Sequence, residues 1–203
     1  MVIRGTANVT CPGCGKQQDC PLVQTIDPRE NPADKQLLLD GELNMLACTC
    51  GKRTQLAANV LFRQGEYTCQ VVPGGEKAME EAAAAFAASG IGGTRRLVPS
   101  LNALVEKVKL LDASLDDHAI EMTKVLLLAS IGELERVLLF ETLDKEAGVI
   151  RWAMFDEDGR PERVSSPVAQ YEKLAQRPQP DTELRVDRAW AIEAVKAMVA
   201  NAN

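Results

Sequence analysis

The sequence predicts an α+β protein in which an N-terminal zinc-ribbon β module with one inserted helix precedes a mixed α+β domain. Two short cysteine loops, residues 11–15 (CPGCG) and 48–51 (CTCG), lie in the first part of the chain, among residues that alternate between apolar and polar. An alanine- and glycine-rich stretch follows at residues 76–94. Beyond it, helical and strand-like periods occur in turn, which is the pattern of a second, mixed domain.

The first cysteine loop is predicted to join two strands. Apolar and small residues alternate with polar ones over residues 3–9, and residues 17–26 are suited to a return strand. Within the loop, Pro12 restricts the backbone and Gly15 admits a positive φ, so that backbone N–H groups can turn toward the sulfur atoms. The segment is therefore expected to form a hairpin with a metal-binding turn.

The inserted helix and the second cysteine loop come next. Asn31 and Pro32 are a plausible N-cap and first helical residue for a short helix over residues 33–40, which ends at Gly41. Residues 42–48 are predicted to be a strand that leads to the second loop. Residues 52–62 and 67–72 are predicted to form a further hairpin, which completes a ribbon of three or four strands over residues 1–75.

Residues 76–94 are predicted to be a helical connector between two domains. The helix has high alanine content but offers only Met79 and Phe86 as large apolar groups, so it buries little surface. The glycines at residues 90–93 are not followed by the Lys-Ser/Thr pair of a phosphate-binding loop. We therefore predict domains at residues 1–75 and 95–203.

The second domain is predicted to begin with two helices. Ser100 caps the first helix, and a start signal at residues 114–117 precedes the second, which spans about residues 116–131. These helices are followed by a strand hairpin at residues 134–143 and 149–155 and a turn at 156–159. A short strand that ends near Val164 and a helix at 166–175 come next. Asp187 then caps a terminal helix. The expected apolar faces of the first two helices are Leu101, Leu104, Val105, Val108 and Leu111, and then Ile120, Leu127 and Ile131.

Composition limits the partners of this protein. The 203 residues carry a formal charge of −6, and residues 1–75 contain seven basic and seven acidic residues, so neither part has the basic excess of a nucleic-acid-binding domain. No apolar run approaches the ~18 residues of a membrane span. The first ten residues lack the apolar core of a signal peptide. The six cysteines are therefore expected to be reduced or metal-bound in a cytoplasmic protein.

The two cysteine loops are the candidate metal site. Cys11, Cys14, Cys48 and Cys50 form the thiolate set of a structural Zn²⁺, which would leave the ion no open position for water or substrate. A disulfide or a redox pair is the alternative for such closely spaced cysteines. His118, the only histidine, lies beside two aspartates and is expected to be a solvated neighbour of a helix cap.

Several of these segments resemble the CpXC domain family of bacterial and archaeal proteins. The resemblance covers the chain up to about residue 165 and implies four cysteines in two loops, which fall on Cys11, Cys14, Cys48 and Cys50. The second loop departs from the family pattern because it lacks a proline and one spacer residue, and this leaves Cys20 or Cys69 as a replacement ligand. The resemblance brings no activity with it. It rests on the two cysteine loops and on residues 37–44 (LLLDGELN), 95–107 (RRLVPSLNALVEK) and 115–121 (LDDHAIE).

The function predicted from these observations is zinc binding without catalysis, in a cytoplasmic module that interacts or assembles with another protein. No membrane association is expected, nucleic acid is not the expected partner, and a homo-oligomer is left open. Two alternatives remain at this point. One is a nucleic-acid-associated zinc ribbon of transcription or translation, and the other is a thiol-based oxidoreductase that uses the CxxC or CxC pair.

Overall fold

The computed structural model describes residues 3–155, 158–177 and 182–201, and it confirms the α+β class. The strands are β1 (Arg4–Thr10), β2 (Gln17–Val23), β3 (Thr25–Ile26), β4 (Met45–Ala47), β5 (Arg53–Gln55), β6 (Val60–Gln64), β7 (Tyr67–Val71), β8 (Thr94–Val98), β9 (Val137–Asp144), β10 (Val149–Phe155) and β11 (Pro161–Pro167). The helices are α1 (Pro32–Leu39), α2 (Gly75–Ala88), α3 (Leu101–Asp112), α4 (Asp117–Ile131), α5 (Val168–Ala175) and α6 (Arg188–Ala200). The predicted turn at residues 156–159 lies partly outside the described residues.

Contacts divide the chain into two compact units, Met1–Val105 and Glu106–Asn203. This division lies further along the chain than the predicted connector, because β8 pairs in parallel with β7 and so belongs to a sheet of the first unit. The predicted boundaries at residues 75 and 95 stay a prediction, since a domain is defined by independent folding, which contacts alone do not measure.

The strands of the first unit form three separate sheets. β1 pairs with β2 and β4 with β5, both antiparallel, and the third sheet has the strand order β3-β6-β7-β8. The single ribbon of three or four strands expected from the sequence is therefore wrong. The predicted return strand divides at Gln24, whose N–H donates to the carbonyl of Ile3 while its own carbonyl accepts the N–H of Leu61. This exchange of partners directs β3 onto β6.

Two polar residues hold the cysteine-bearing hairpins in place. Asp34, in the first turn of α1, is buried and accepts two hydrogen bonds of 2.8 Å from the guanidinium of Arg4 in β1. Asn44, just before β4, has a left-handed backbone with φ of 53°. Its side-chain amide accepts the N–H of Val23 at 2.7 Å and donates to the carbonyl of Val23 at 3.0 Å. Asn44 thereby joins the hairpin β1-β2 to the hairpin β4-β5.

The core of the first unit is built on its largest sheet. Ile26, Val60, Phe62 and Cys69 are fully buried, one or more from each of β3, β6 and β7. The two large apolar residues of α2, Met79 and Phe86, are also buried.

The second unit packs three helices on a three-stranded antiparallel sheet of order β11-β10-β9. The core surrounds Trp152 of β10, which is fully buried and donates its indole N–H to the hydroxyl of Ser166 at 3.0 Å. Phe140 of β9 meets the same indole edge to face. The predicted hairpin of β9 and β10 and the cap of α6 by Asp187 agree with the structure.

α4 differs from its predicted amphipathic pattern. Ile120 is buried, but Leu127 is half-buried and Ile131 is 45% exposed, so the predicted stripe is wrong at its C-terminal end. Residues 117–125 are instead buried on every side. Burying a charged side chain is costly unless the charge is paired with a partner.

Buried charges of α3 and α4 supply those partners. Lys107 contacts Asp117 at 2.8 Å, and Lys124 contacts Glu106 at 2.8 Å and Glu121 at 2.9 Å. Burial lowers the pKa of Lys124, but the two adjacent carboxylates outweigh that effect and raise its pKa above the ordinary value. Lys124 therefore stays charged at neutral pH.

Candidate metal centre

The first cysteine loop turns the chain between β1 and β2. The N–H of Cys11 donates to the carbonyl of Lys16, and the N–H of Gly15 donates back to the carbonyl of Cys11, each at 2.9 Å. Gly15 has φ of 74°, which is the left-handed conformation that the sequence predicts there. The N–H of Gly13 points at the sulfur of Cys11, at 3.3 Å. The backbone thus forms a closed turn around the two thiols.

The second loop, between β4 and β5, is closed in the same way with one residue fewer. The N–H of Cys48 donates to the carbonyl of Lys52 at 3.0 Å, and the N–H of Gly51 donates to the carbonyl of Cys48 at 2.9 Å. Gly51 has φ of 86°. The shorter Cys48-x-Cys50 spacing is therefore compatible with the same type of turn.

Gly13 allows the two loops to approach each other. A Cβ atom at this position would lie 3.2 Å from the Cβ of Lys52 and 3.5 Å from the sulfur of Cys50. Any larger side chain would have to displace the second loop. The absence of a side chain at Gly13 therefore permits the thiols of both loops to lie close together.

The four sulfur atoms form one compact cluster. The Sγ atoms of Cys11 and Cys50 are 3.7 Å apart, those of Cys14 and Cys48 are 3.6 Å apart, and all four lie within 4.8 Å of one another. A tetrahedral Zn²⁺ with Zn–S bonds of about 2.3 Å would separate its sulfur ligands by about 3.8 Å. A disulfide needs about 2.05 Å. The geometry fits a metal ion, and both of these short contacts join one loop to the other.

The thiols of Cys14 and Cys48 have pKa values shifted in opposite directions. The N–H of Cys50 donates to the sulfur of Cys48 and lowers the pKa of that thiol to about 6. The N–H of Lys16 lowers the pKa of Cys14, but the thiols of Cys48 and Cys50 outweigh it and raise that pKa to about 11. The Cys48 thiol therefore ionises at a lower pH than the Cys14 thiol, and its negative charge opposes ionisation of Cys14. A bound cation removes this repulsion and favours all four thiolates.

The cluster lies at the surface on one side. Cys11 is 1% and Cys48 is 7% exposed, whereas Cys14 and Cys50 are exposed. The loop residues around them, 12–15 and 49–51, are exposed as well. Each loop thus contributes one inner and one outer thiol.

Neither remaining cysteine belongs to the cluster, which in the described part of the chain contains only the four loop cysteines. Cys20 is buried in β2, with its sulfur near the carbonyl oxygens of Pro21 and Met45 at 3.7 and 3.9 Å. Cys69 is fully buried in β7. The structure gives no support to Cys20 or Cys69 as a replacement ligand.

Two structural features of the site are not apparent from the positions of the cysteines alone. The sequence Cys-Gly-Lys occurs in both loops, at residues 14–16 and 50–52, and in each the lysine carbonyl closes the turn. This short repeat is a signal that the second loop copies the first despite its missing residue. The role of Asn44 has no comparable signal, because it depends on a partner in β2.

Comparison with known proteins identifies the family. The model of the family described as CpXC protein matches residues 9–124, which is more than half of the chain. The chain belongs to the CpXC protein family. The match covers the cysteine cluster of this CpXC protein and ends near the middle of α4, before residue 165, to which the resemblance was expected to extend. No curated protein and no solved structure matches the chain.

The structure also bears on membrane association. Among the described residues, no helix has the length and apolar character needed to cross a bilayer. This agrees with the absence of a long apolar run in the sequence.

Proposed function

We propose that the N-terminal unit is a non-catalytic module in which Cys11, Cys14, Cys48 and Cys50 bind one structural Zn²⁺. The observation that carries the proposal is the convergence of four thiols at the separations of a tetrahedral site. Four thiolates fill the coordination shell of zinc, so no position is left at which water or substrate could be activated. The function of such a site is to fix the two hairpins.

The fixed hairpins present a surface that we propose binds another protein in the cytoplasm. The exposed loop residues surround a centre whose four thiolates and Zn²⁺ carry a charge of −2. Lys16 and Lys52 follow the outer cysteine of each loop and are exposed, so basic groups border this centre. A rigid, locally charged surface without an open metal position suits recognition rather than chemistry.

Zinc analysis tests the metal site. Each of the variants Cys11→Ser, Cys14→Ser, Cys48→Ser and Cys50→Ser is expected to lose one equivalent of zinc per chain relative to the wild-type protein, measured by elemental analysis after gel filtration. Cys20→Ser and Cys69→Ser are the matched controls and are expected to keep it. Retention of the full zinc content by Cys50→Ser, with loss in Cys20→Ser or Cys69→Ser, would overturn the ligand assignment.

A loop variant tests the interaction. Thr49→Glu alters the exposed tip of the second loop without removing a thiol, whereas Asn8→Ala alters an exposed position of β1 outside both loops. Affinity purification from the native cell, with mass spectrometry, is expected to recover a partner with wild type and Asn8→Ala that is lost with Thr49→Glu. If Thr49→Glu keeps its zinc and recovers the same proteins as the wild type, the loops are not the binding surface.

A further inference from the structure

His118 occupies an unusual position in the second unit. It lies in the first turn of α4 and is only 2% exposed, so the solvated position expected from the sequence is wrong. Neither nitrogen of its ring has a hydrogen-bond partner among the described residues. Buried polar atoms are rarely left in this state, because each loses its bonds to water without replacement. The imidazole therefore points to a ligand that would complete its environment.

Two carboxylates face the same ring nitrogen. Oδ2 of Asp116 lies 3.6 Å and Oδ1 of Asp117 lies 3.5 Å from Nδ1 of His118. The other oxygen of each carboxylate is held by the fold. Oδ1 of Asp116 accepts the N–H of Ala119 at 2.8 Å, and Oδ2 of Asp117 accepts a hydrogen bond from Lys107 at 2.8 Å. Each aspartate thus has one oxygen fixed by the scaffold and turns the other toward the imidazole.

These separations are those of ligands around one ion. Distances of 3.5 and 3.6 Å exceed those of N–H···O hydrogen bonds, which are 2.7–3.2 Å. Bonds of about 2.0–2.2 Å from a tetrahedral Zn²⁺ to nitrogen and oxygen would place two ligands about 3.4 Å apart. The three donor atoms all lie within 4.8 Å of one another.

We propose that His118 Nδ1, Asp116 Oδ2 and Asp117 Oδ1 form a second metal site, which takes a divalent first-row transition-metal ion of the Zn²⁺ class. One imidazole and two carboxylates are ligands that such ions accept, and water would occupy the remaining position. The carboxylates supply the negative charge that offsets the positive end of the helix dipole. The Asp116 side chain is 48% exposed, which gives an ion access from solvent.

Neighbouring aromatic residues restrain two of the three ligands. The rings of His118 and Trp190 in α6 meet edge to face with centroids 4.8 Å apart. The backbone N–H of Asp116 donates to the hydroxyl oxygen of Tyr171 in α5 at 2.9 Å. Such contacts around the ligands hold a site in its binding geometry before the ion arrives. This site is separate in sequence from the cysteine cluster and does not depend on it.

The test uses the full chain and Zn²⁺ as the probe. In elemental analysis, the wild-type protein is expected to bind one equivalent of zinc per chain more than Asp116→Asn or His118→Gln. The zinc affinity of the second site is expected to be at least about tenfold weaker in each variant. Asp116→Asn is the informative variant, because asparagine also caps helices and should preserve α4. Glu133→Gln removes an exposed acid near the other end of α4 and is expected to bind as the wild type does.

Nuclear magnetic resonance gives a second measurement, because His118 is the only histidine and its ring signals are unambiguous. The second equivalent of Zn²⁺ should shift these signals in the wild type but not in Asp116→Asn. With Co²⁺, the thiolate charge-transfer band of the cysteine cluster should persist in Asp116→Asn, which separates the two sites. The proposal would be overturned if the His118 signals stay unchanged with Zn²⁺ in excess. It would also be overturned if the second equivalent of Zn²⁺ per chain is lost in Cys50→Ser but kept in Asp116→Asn.

Discussion

At the scale of single residues, Asn44 shows how the scaffold of the cysteine site depends on one side chain. Its amide pairs with both backbone groups of Val23, and its own backbone is left-handed, a conformation that asparagine tolerates better than most residues. The amide also joins the two hairpins whose loops carry the thiols. Its contribution is therefore to the geometry of the cluster as well as to stability.

Replacing Asn44 should cost stability through these two hydrogen bonds. We expect Asn44→Gly, which keeps the backbone conformation, to lower the free energy of unfolding by about 1–3 kcal/mol, because the buried N–H and carbonyl of Val23 lose their partners. Asn44→Ala should cost about 1 kcal/mol more, because alanine disfavours the left-handed region. Urea unfolding in the presence of Zn²⁺ measures both. Asn8→Ala is the control, because the Asn8 side chain donates an exposed hydrogen bond to Asp19, and it should change the free energy of unfolding by less than about 0.5 kcal/mol. If Asn44→Gly changed the free energy of unfolding no more than Asn8→Ala does, this account would be contradicted.

At the scale of elements, β8 is attached to the first unit by a close backbone contact. Gly93, just before β8, has φ of 79°. A Cβ atom there would collide with the carbonyl oxygen of Glu66 in the turn between β6 and β7. Gly93 thus permits β8 to lie beside β7.

A pair of adjacent glycines tests this role. Gly93→Ala is expected to lower the free energy of unfolding by at least about 2 kcal/mol, through the strained φ and the collision with Glu66. Gly92→Ala is the matched control, because nothing lies within 4 Å of its added Cβ and its φ is not in the left-handed region. It should remain within about 1 kcal/mol of the wild type. Equal stability of the two variants in urea unfolding would show that β8 does not need this contact.

The buried ion pairs of α3 and α4 allow a second test at this scale. Lys124→Met should destabilise the protein by about 3–5 kcal/mol, because it removes the cation that contacts the buried carboxylates of Glu106 and Glu121. Glu121 keeps a longer contact of 3.8 Å with Lys107. Lys196→Met removes an exposed lysine that contacts Glu193 and should cost less than about 1 kcal/mol. Thermal unfolding of both variants gives the comparison.

The pH dependence of the Lys124 effect follows from the direction of its pKa shift. A raised pKa in the folded state favours the charged form, so the stabilisation is fully present below the unfolded value of about 10.4 and is lost only as the pH rises through the folded pKa. The difference in the free energy of unfolding between the wild type and Lys124→Met should therefore stay constant between about pH 6 and 9. A decline within this range would indicate that Lys124 is not held in its charged form.

Local signals predicted many elements, whereas contacts distant in sequence determined the rest. Alternation and caps predicted β1, α1, the hairpin of β9 and β10 and the cap of α6, since each depends on neighbouring residues. The pairing of β8 with β7 was not predicted, because the two strands lie more than 20 residues apart in the sequence. The burial of His118 and of the charged face of α4 was missed because polar residues predict exposure unless their partners are known. At the cysteine site, the sequence predicted which thiols come together, but it gave no indication that the side chain of Asn44 joins the two hairpins.

At the scale of the whole molecule, the charge distribution predicts that nucleic acid is not a partner. The net charge is −6, and residues 76–203 carry sixteen basic and twenty-two acidic residues. We expect no appreciable binding to mixed-sequence duplex DNA or single-stranded RNA at about 0.15 M salt, where weak basic patches are screened. Fluorescence anisotropy across a salt series measures this. Micromolar affinity with a steep salt dependence would instead favour a nucleic-acid-associated zinc ribbon.

The division into two units gives a further prediction about the whole chain. Both tryptophans, Trp152 and Trp190, lie in the second unit, so intrinsic tryptophan fluorescence reports on that unit alone. Cys50→Ser should remove a ligand of the proposed zinc site and unfold much of the first unit, because the binding energy of a structural site is part of its folding energy. The second unit has its own core around Trp152, which should remain folded.

We therefore expect Cys50→Ser to lose β-sheet signal in far-ultraviolet circular dichroism while its tryptophan emission keeps the wavelength of the native protein. Cys20→Ser, which leaves all four loop thiols in place, should retain both signals. A Cys→Ser substitution is a better test than a chelator, because a chelator would also remove an ion from the proposed His118 site, and that ring contacts Trp190. A red shift of the tryptophan emission in Cys50→Ser would mean that the second unit cannot hold its core without the first, and that the two units fold as one.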